Sequence, residues 1–346
     1  MKTYLLPEQG RFFKANLHCH TTVSDGHLTP EEIKQLYMEH GYSIVAYTDH
    51  EVLIPHHKEL SDKSFLALNA HELELKEHAN GREGRECKRC HMCIIALEPD
   101  NVTQTCWHRS KYVWGNAKGY MDRVEFDENE PDYIREYTVE NVNDAIRRAR
   151  EAGYWVTYNH PVWSLEDPEQ YMKYEGFNAL EIYNHGCVVA GYDDYVPQIY
   201  DAFLRKGQRI FCVATDDNHN AHTEDSPHFD ACGGFTMIKA DRLDYRTITR
   251  AMEAGSFYAS TGPLIHELWY EDGEVHIKCS PAARITANYG IIKAKVQYAE
   301  KAPLTEASFP VKSNDLYIRL TVTDAEGRNA NTNAYYVADL LSGDAR

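Results

Sequence analysis

Histidine is the residue type that stands out, with 18 in a chain of 346 residues. Its neutral ring is the commonest metal ligand and its charge changes near neutral pH, so an excess of it invites a search for clusters. His18-Cys19-His20 ends a β-rich run, and residues i and i+2 of a strand project to one side. His18 and His20 can therefore grip one cation, with the loop Ser24-Asp25-Gly26 returning Asp25 beside them. Four later runs close in the same kind of residue: Tyr47-Thr48-Asp49-His50, His71-Glu72, Tyr158-Asn159-His160-Pro161, and Ala214-Thr215-Asp216-Asp217-Asn218-His219. A set of this kind binds divalent cations.

The elements that must position these groups alternate between β-rich and helical runs over about three-quarters of the chain. Strands are expected over 12–17, 43–48, 65–75, 154–158, 178–183 and 210–215. Thr29-Pro30-Glu31-Glu32 opens a helix with an N-cap, an early proline and acidic residues in its first turn. Thr138 caps another that Gly153 ends, and a third runs from about Asp193 to Lys206 before Gly207. Such alternation implies parallel strands with helical crossovers, as an open α/β sheet or a barrel. Active groups of α/β barrels collect at the C-terminal strand ends, so residues far apart in sequence would converge on one mouth. After Gly262-Pro263 the pattern changes to period two, as in Leu316, Ile318, Leu320 and Val322, and a small all-β, sandwich-like domain is expected over 263–346.

HCHTTVSDG, YTDH, HELEL, YNHP and TDDNH, in that order over about residues 12 to 260, resemble the PHP (polymerase and histidinol phosphatase) superfamily of metal-dependent phosphoesterases, in a two-domain form. The resemblance implies a distorted (β/α)7 barrel over 1–262 with two or three divalent metals, commonly manganese, iron or zinc. Carried over residue by residue, it implies His18, His20, Asp25, His50, Glu72, His160, Asp217 and His219 as ligands, with Glu72 bridging two metals. His91, just before the apolar run Met92 to Leu97, stands where many relatives have a ligand histidine. Asp216 stands where relatives often have serine, so the choice between Asp216 and Asp217 stays open at this point. Residues 255–263 resemble the exit from the catalytic domain in two-domain members.

The implied reaction is hydrolysis of a phosphate ester of a small metabolite or nucleotide by a metal-activated hydroxide. His185, closing a strand that faces the same mouth, is the expected proton donor or phosphate contact, and Asp217 the second catalytic residue. The alternatives are an amide or carboxylic-ester hydrolase with the same cluster, or a non-catalytic binding module. Filled ligand positions count against the last.

Two stretches break the rhythm: Lys76 to Cys93, and an insertion over about 99–137. Arg109, Lys111 and Arg123 in the insertion are candidates to grip substrate phosphate, because a guanidinium fork matches phosphate geometry, with a solvated lid face as the alternative reading. Trp107 and Trp114 could stack on a base or sugar, although aromatic residues in a long loop more often pack it down. The run of Cys87, Cys90 and Cys93 is too crowded for a conventional structural zinc site, and reduced thiols are expected there. His56, His57 and Glu51 are expected to be solvated loop residues.

Composition sets limits on partners. Hydrophobic residues make up 43% and charged residues 26%, which is ordinary globular usage. With 36 basic against 53 acidic residues the net charge is −17, so stable duplex nucleic-acid binding is not expected. Anionic small molecules remain suitable substrates, because bound cations reverse the local sign. Nine cysteines, an odd number, and no run of 18 apolar residues suggest a cytoplasmic protein without a membrane span. The C-terminal domain has no chemical motif, and packing or homo-oligomerisation is its expected role.

Overall fold

The computed structural model describes residues 2–77 and 88–342. Gly81, Gly84 and Cys87 of the first irregular stretch lie outside the described residues. Each expected strand forms to within one residue. In chain order the first elements are β1 (Thr3–Tyr4), β2 (Arg11–Asn16), α1 (Pro30–Glu39), β3 (Ile44–Tyr47), α2 (His57–Leu60), β4 (Leu66–Lys76) and β5 (Arg89–Ala96). A 3₁₀ helix (Gly115–Arg123) lies in the insertion, followed by α3 (Val139–Glu151), β6 (Tyr154–Tyr158), α4 (Pro168–Tyr171), β7 (Ala179–Asn184), α5 (His185–Val189), α6 (Pro197–Arg205), β8 (Phe211–Thr215), β9 (Phe235–Ala240), α7 (Tyr245–Glu253) and β10 (Phe257–Ser260). The rest is almost wholly β: β11 (Ile265–Glu271), β12 (Glu274–Ala282), β13 (Arg284–Asn288), β14 (Ala294–Tyr298), β15 (Leu304–Pro310), β16 (Tyr317–Thr323), β17 (Asn329–Thr332), β18 (Tyr335–Tyr336) and a short α8 (Val337–Ser342).

The helix signals work as read. Thr29 Oγ1 accepts from Glu32 N at 3.2 Å while Glu32 Oε2 accepts from Thr29 N at 2.8 Å, a reciprocal cap that fixes where α1 begins. Thr138 Oγ1 caps α3 through Asn141 N at 3.2 Å. The buried face of α3, Val142, Ala145, Ile146 and Ala149, packs on the strands beneath.

The sheet departs from the expected closed, parallel barrel. Its hydrogen-bonded order runs β14-β13-β16-β17-β10-β9-β2-β3-β4-β5-β6-β7-β8, open between β8 and β9. β2, β3 and β4 are mutually parallel, as are β6, β7 and β8, but β5 is antiparallel to both β4 and β6. The reason for the reversal is local: no helix lies between β4 and β5 among the described residues, so no crossover returns the chain to the starting edge. At the open seam a side chain does the work of a ladder. Thr236 Oγ1 on β9 donates to Ala214 O at 3.0 Å and accepts from Ala214 N at 3.3 Å on β8. Side chains from every strand β2 to β9 still share one apolar cluster, including Phe13, Ile44, Leu68, Ile95, Trp155 and Val213.

The C-terminal strands continue this sheet. β10 pairs with β9 on one side and β17 on the other. A second sheet, β1-β11-β12-β15, takes its first strand from the start of the chain, and Leu5 and Leu6 join its core. Arg319 on β16 and Asp201 on α6 form a bidentate pair at 2.7 and 2.6 Å, which Tyr317 Oη joins at 2.6 Å. No helix among the described residues is long and apolar enough to cross a membrane.

Candidate metal centre

The cluster is built where strands end. Asn218 pairs with Cys19 in a parallel bridge, and His50 pairs with Glu72 in another, so the ends of β2, β3, β4 and β8 are stitched together by backbone. Asp49 shapes the first loop: its carboxylate accepts from Thr21 N at 2.8 Å, Thr21 Oγ1 at 2.9 Å and Ser24 Oγ at 2.8 Å. Gly26 closes that loop so tightly that a Cβ there would sit 2.6 Å from His20 O. These contacts bring Asp25 back to the histidines.

Four groups of side chains have ligand atoms mutually within 4.8 Å: His20, Asp25, His50 and His219; His18, His160 and Asp217; His18, His20 and Glu72; and His50, Glu72 and His91. All the residues expected as ligands meet here. Glu72 lies at the centre, fully buried, with Oε1 3.2 Å from His18 Nε2, 3.1 Å from His91 Nδ1 and 3.4 Å from His160 Nε2. Its other oxygen is 3.0 Å from His50 Nδ1 and 3.4 Å from His20 Nε2. Asp217 Oδ1 faces His20 at 3.0 Å and His18 at 3.1 Å.

The arrangement fits divalent cations on its own geometry. Nε2 of His18 and Nε2 of His20 approach to 3.1 Å, two ring nitrogens aimed at one space. His20 Nδ1 is buried without a hydrogen bond, and His50 Nδ1 and Glu72 Oε2, although 3.0 Å apart, make none either; each such atom costs roughly 1 to 3 kcal/mol unless something else satisfies it. A cation supplies what they lack. The protonation pattern points the same way. Burial disfavours charge on Glu72, but His91, His18 and His50 outweigh it and hold its carboxyl well below the usual range. Burial likewise works against a charged His91, yet Glu72 and Glu74 push it up to about 10. His219 is pushed up to about 9 against its burial by Asp25, whereas burial and His20 push His50 down to about 3. Carboxylates that retain protons on these rings are equally able to retain metal ions, with proton loss accompanying binding.

A further layer holds the rings. His18 Nδ1 lies 2.7 Å from Glu181 Oε1, and His91 Nε2 lies 3.1 Å from Glu74 Oε2. His160 Nδ1 reaches Ser164 Oγ at 3.1 Å, and His219 Nδ1 the Asp217 carbonyl at 3.0 Å. Asn159 Nδ2 donates to Glu72 Oε1 at 2.8 Å and Asn184 Nδ2 to Asp217 Oδ2 at 3.1 Å. Partners of this kind fix ring orientation and raise ligand basicity. Sequence reading missed Glu181, Glu74 and Asn184; a buried acid or amide inside an otherwise apolar strand was the available signal.

No protein-family model matches the chain, and no curated protein matches it. Solved structures do. A two-domain protein of Bacteroides vulgatus containing a predicted PHP-like metal-dependent phosphoesterase is 13% identical, with 95% of this chain and 97% of that one covered and a TM-score of 0.43. A protein of Bifidobacterium adolescentis, named as a candidate metal-dependent phosphoesterase, is 16% identical over 71% of this chain and 97% of its own, with a TM-score of 0.39. An amidohydrolase from Chromobacterium violaceum, with bound sulfate and no metal, is 15% identical over 70% of this chain and 96% of its own, with a TM-score of 0.37. The first two bear the name of the superfamily, or of its activity, that the motifs resemble. At such identities their activities describe those proteins, and the residues of this chain carry its functional reading.

The remaining expected site residues are distributed as follows. Asp216 points away from the cluster, its carboxylate accepting from Cys232 N at 2.9 Å, Gly233 N at 2.9 Å, Gly234 N at 2.7 Å and Tyr37 Oη at 2.9 Å. The chain has left β8 here and turns at Asp217, φ +52°, so that Asp217 faces opposite to Asp216 and takes the mouth. His71 alternates with Glu72 in the same manner and is buried with neither ring nitrogen bonded. His185 contacts Tyr183 Oη at 3.0 Å and lines a separate cavity with Tyr195, Cys232 and Arg328; Gly186 and Cys187 of α5 line the metal-facing pocket instead. Arg109 is paired with Asp132 at 2.6 Å in another cavity, Lys111 is exposed, and Arg123 is exposed with its guanidinium 5.4 Å from the Tyr120 ring. The guanidinium that does line the pocket is that of Arg89, on β5. Glu51 and His56 are buried rather than solvated. Arg135, reaching in from the insertion, pairs with Glu51 at 2.5 Å, which shields both charges from the apolar surroundings. The described cysteines are free, and no cysteine joins a metal-holding group among the described residues.

Proposed function

We propose that this chain is a PHP-type metal-dependent hydrolase that cleaves the phosphate ester of a small molecule. The observation that carries the reading is the set of adjoining ligand groups sharing Glu72, His18, His20 and His50. Side chains so placed hold more than one cation, and closely spaced cations suit a ligand with several charged oxygens better than a neutral amide. Bound cations, of the manganese, iron or zinc type that nitrogen and oxygen donors accept, supply charge neutralisation of phosphoryl oxygens and a lowered pKa for water.

The protein's own groups do the positioning. His18, His20, Asp25, His50, Glu72, His91, His160, Asp217 and His219 are the proposed ligands. Glu181 and Glu74 hold the outer nitrogens of His18 and His91, so neither ring can swing away from the mouth. Arg89 brings a guanidinium to the pocket while Glu74 Oε2 holds one of its nitrogens at 2.8 Å, and a fork so held suits an anionic oxygen. Dissociative phosphoryl transfer asks mainly for this combination of fixed charge and orientation.

The test is metal analysis of the purified protein together with a panel of nucleotides, sugar phosphates, phosphotyrosine and simple amides. Phosphate ester hydrolysis that a chelator abolishes and added metal restores is expected. Replacing Glu72 with alanine should lower metal content and reduce turnover at least a hundredfold, roughly 3 kcal/mol or more in the barrier. Amide turnover without phosphate turnover, or a fully active Glu72→Ala protein, would refute the proposal.

A further inference from the structure

Two tryptophans line the pocket above the ligand groups, and they are held differently. Trp163 belongs to the loop after His160. Its backbone N–H donates to Asp194 Oδ2 at 2.8 Å, and that of Val162 to Oδ1 at 3.1 Å, so a buried carboxylate clamps the loop. The indole lies 5.0 Å from the His160 ring and 5.4 Å from the His91 ring, with the Arg89 guanidinium 5.3 Å from its centre. Two histidine rings and a guanidinium thus neighbour it, and it is half-buried. Trp114 comes from the insertion, and its ring is 4.9 Å from that of His50.

Trp114 has no such surroundings: 36% of it stays exposed, while Val113 and Ala117 on either side are buried with Val23, Val52 and Ile54. Gly115, at φ +56°, turns the chain immediately after it into the 3₁₀ helix. The insertion's other tryptophan, Trp107, is only 7% exposed and packs near Phe126. The insertion is thus packed down through its neighbours, and one indole is left at the mouth. A flat apolar face in water gains from being covered, and the partner that covers it best is another flat ring. The pocket, about 310 Å³, has room for a phosphate and one ring system.

We infer that the substrate is a phosphate ester whose alcohol carries a flat ring, a nucleoside or aryl group that stacks on Trp114. This rests on the proposed phosphoesterase reading and narrows it. In the reaction water oxygen bonds to phosphorus as the ester P–O bond breaks, a proton passes to the leaving alcohol, and inorganic phosphate is released. Trp114 acts on selectivity, through the part of the substrate that does not react.

Adenosine 5′-monophosphate and ribose 5-phosphate test this directly, because both leave through the primary 5-hydroxyl of a ribose and only the first carries the ring. In the metal-loaded protein kcat/KM should favour the ring-bearing ester by roughly tenfold or more, the value of one stacking contact. Trp114→Ala should cut that ratio at least fivefold and Trp114→Phe should keep most of it, with metal content followed in each because the indole touches His50. A ratio near one in the unsubstituted protein overturns the inference whatever the variants do. So does an unchanged ratio in Trp114→Ala, which would make Trp114 a cover for His50. If no phosphate ester on the panel is hydrolysed, the phosphoesterase reading fails. Calorimetric binding of the same two compounds then still decides the stacking claim: preference for the ring-bearing compound keeps it and equal binding removes it.

Discussion

Replacing Glu166 with glutamine should change how stability depends on pH, by an amount the structure sets. Glu166 is 8% exposed and receives three phenol hydroxyls, from Tyr158 at 2.6 Å, Tyr174 at 2.6 Å and Tyr137 at 2.8 Å. Burial disfavours the carboxylate more than these donors favour it, and the group is pushed up from 4.5 to about 7. A carboxyl whose pKa is higher in the folded chain stabilises the fold fully below pH 4.5, where it is protonated in both states. That contribution is lost as pH rises through 7, where the buried group must ionise. At about 1.4 kcal/mol per pH unit the loss is about 3 kcal/mol. Glutamine resembles the protonated acid and never ionises. The stability of Glu166→Gln relative to the unsubstituted protein should therefore rise by about 2.5 kcal/mol between pH 5 and pH 8, part of the loss having already occurred by pH 5. Urea denaturation of both proteins at matched pH and metal concentration measures it, the titrations of the other groups cancelling in the difference. A difference that stays flat across this range would mean that Glu166 ionises normally in the folded protein and that the three tyrosines outweigh its burial.

Glu181→Ala should weaken metal affinity roughly 10- to 100-fold in a chelator competition, because His18 loses the carboxylate 2.7 Å from its outer nitrogen; unchanged affinity would mean that the ring is held by packing alone. Asp201→Ala leaves the buried Arg319 guanidinium without its bidentate partner and should cost about 3 kcal/mol in denaturant unfolding. A loss below about 1 kcal/mol would show that water reaches Arg319. Neutralising Arg109, Lys111 and Arg123 together should leave kcat/KM within about twofold, since none of the three lines the pocket over the ligand groups. A larger fall would bring the insertion's cations back to the substrate.

What could be read from the sequence follows from which physical signals are local. His18 and His20 announce themselves because strand alternation puts both on one side, and because histidine is scarce enough to notice. The caps at Thr29 and Thr138 are equally local. The orientation of Asp216 against Asp217 was not readable, since two identical side chains are told apart only by what folds over them, in this case the backbone of Cys232 to Gly234. The direction of β5, antiparallel to both neighbours, is not written in its own apolar residues, and the open seam depends on a hydroxyl at Thr236 that looks like any strand threonine. Arg89 was overlooked beside the more conspicuous basic residues of the insertion. Charge density in sequence said nothing about which guanidinium would be carried to the pocket by a strand.

The unbroken ladder through β9, β10 and β17 bears on how the chain can be divided. Tyr258, Ala259 and Ser260 face Met237, Thr236 and Phe235 on one side and Thr332, Asn331 and Ala330 on the other. Cutting after residue 262 would turn an interior strand into a bare edge, a row of unsatisfied N–H and C=O groups ready to recruit a neighbouring molecule. The C-terminal strands thus serve as a selvedge that covers the edge of the sheet carrying the histidine cluster, a task that requires no chemical motif.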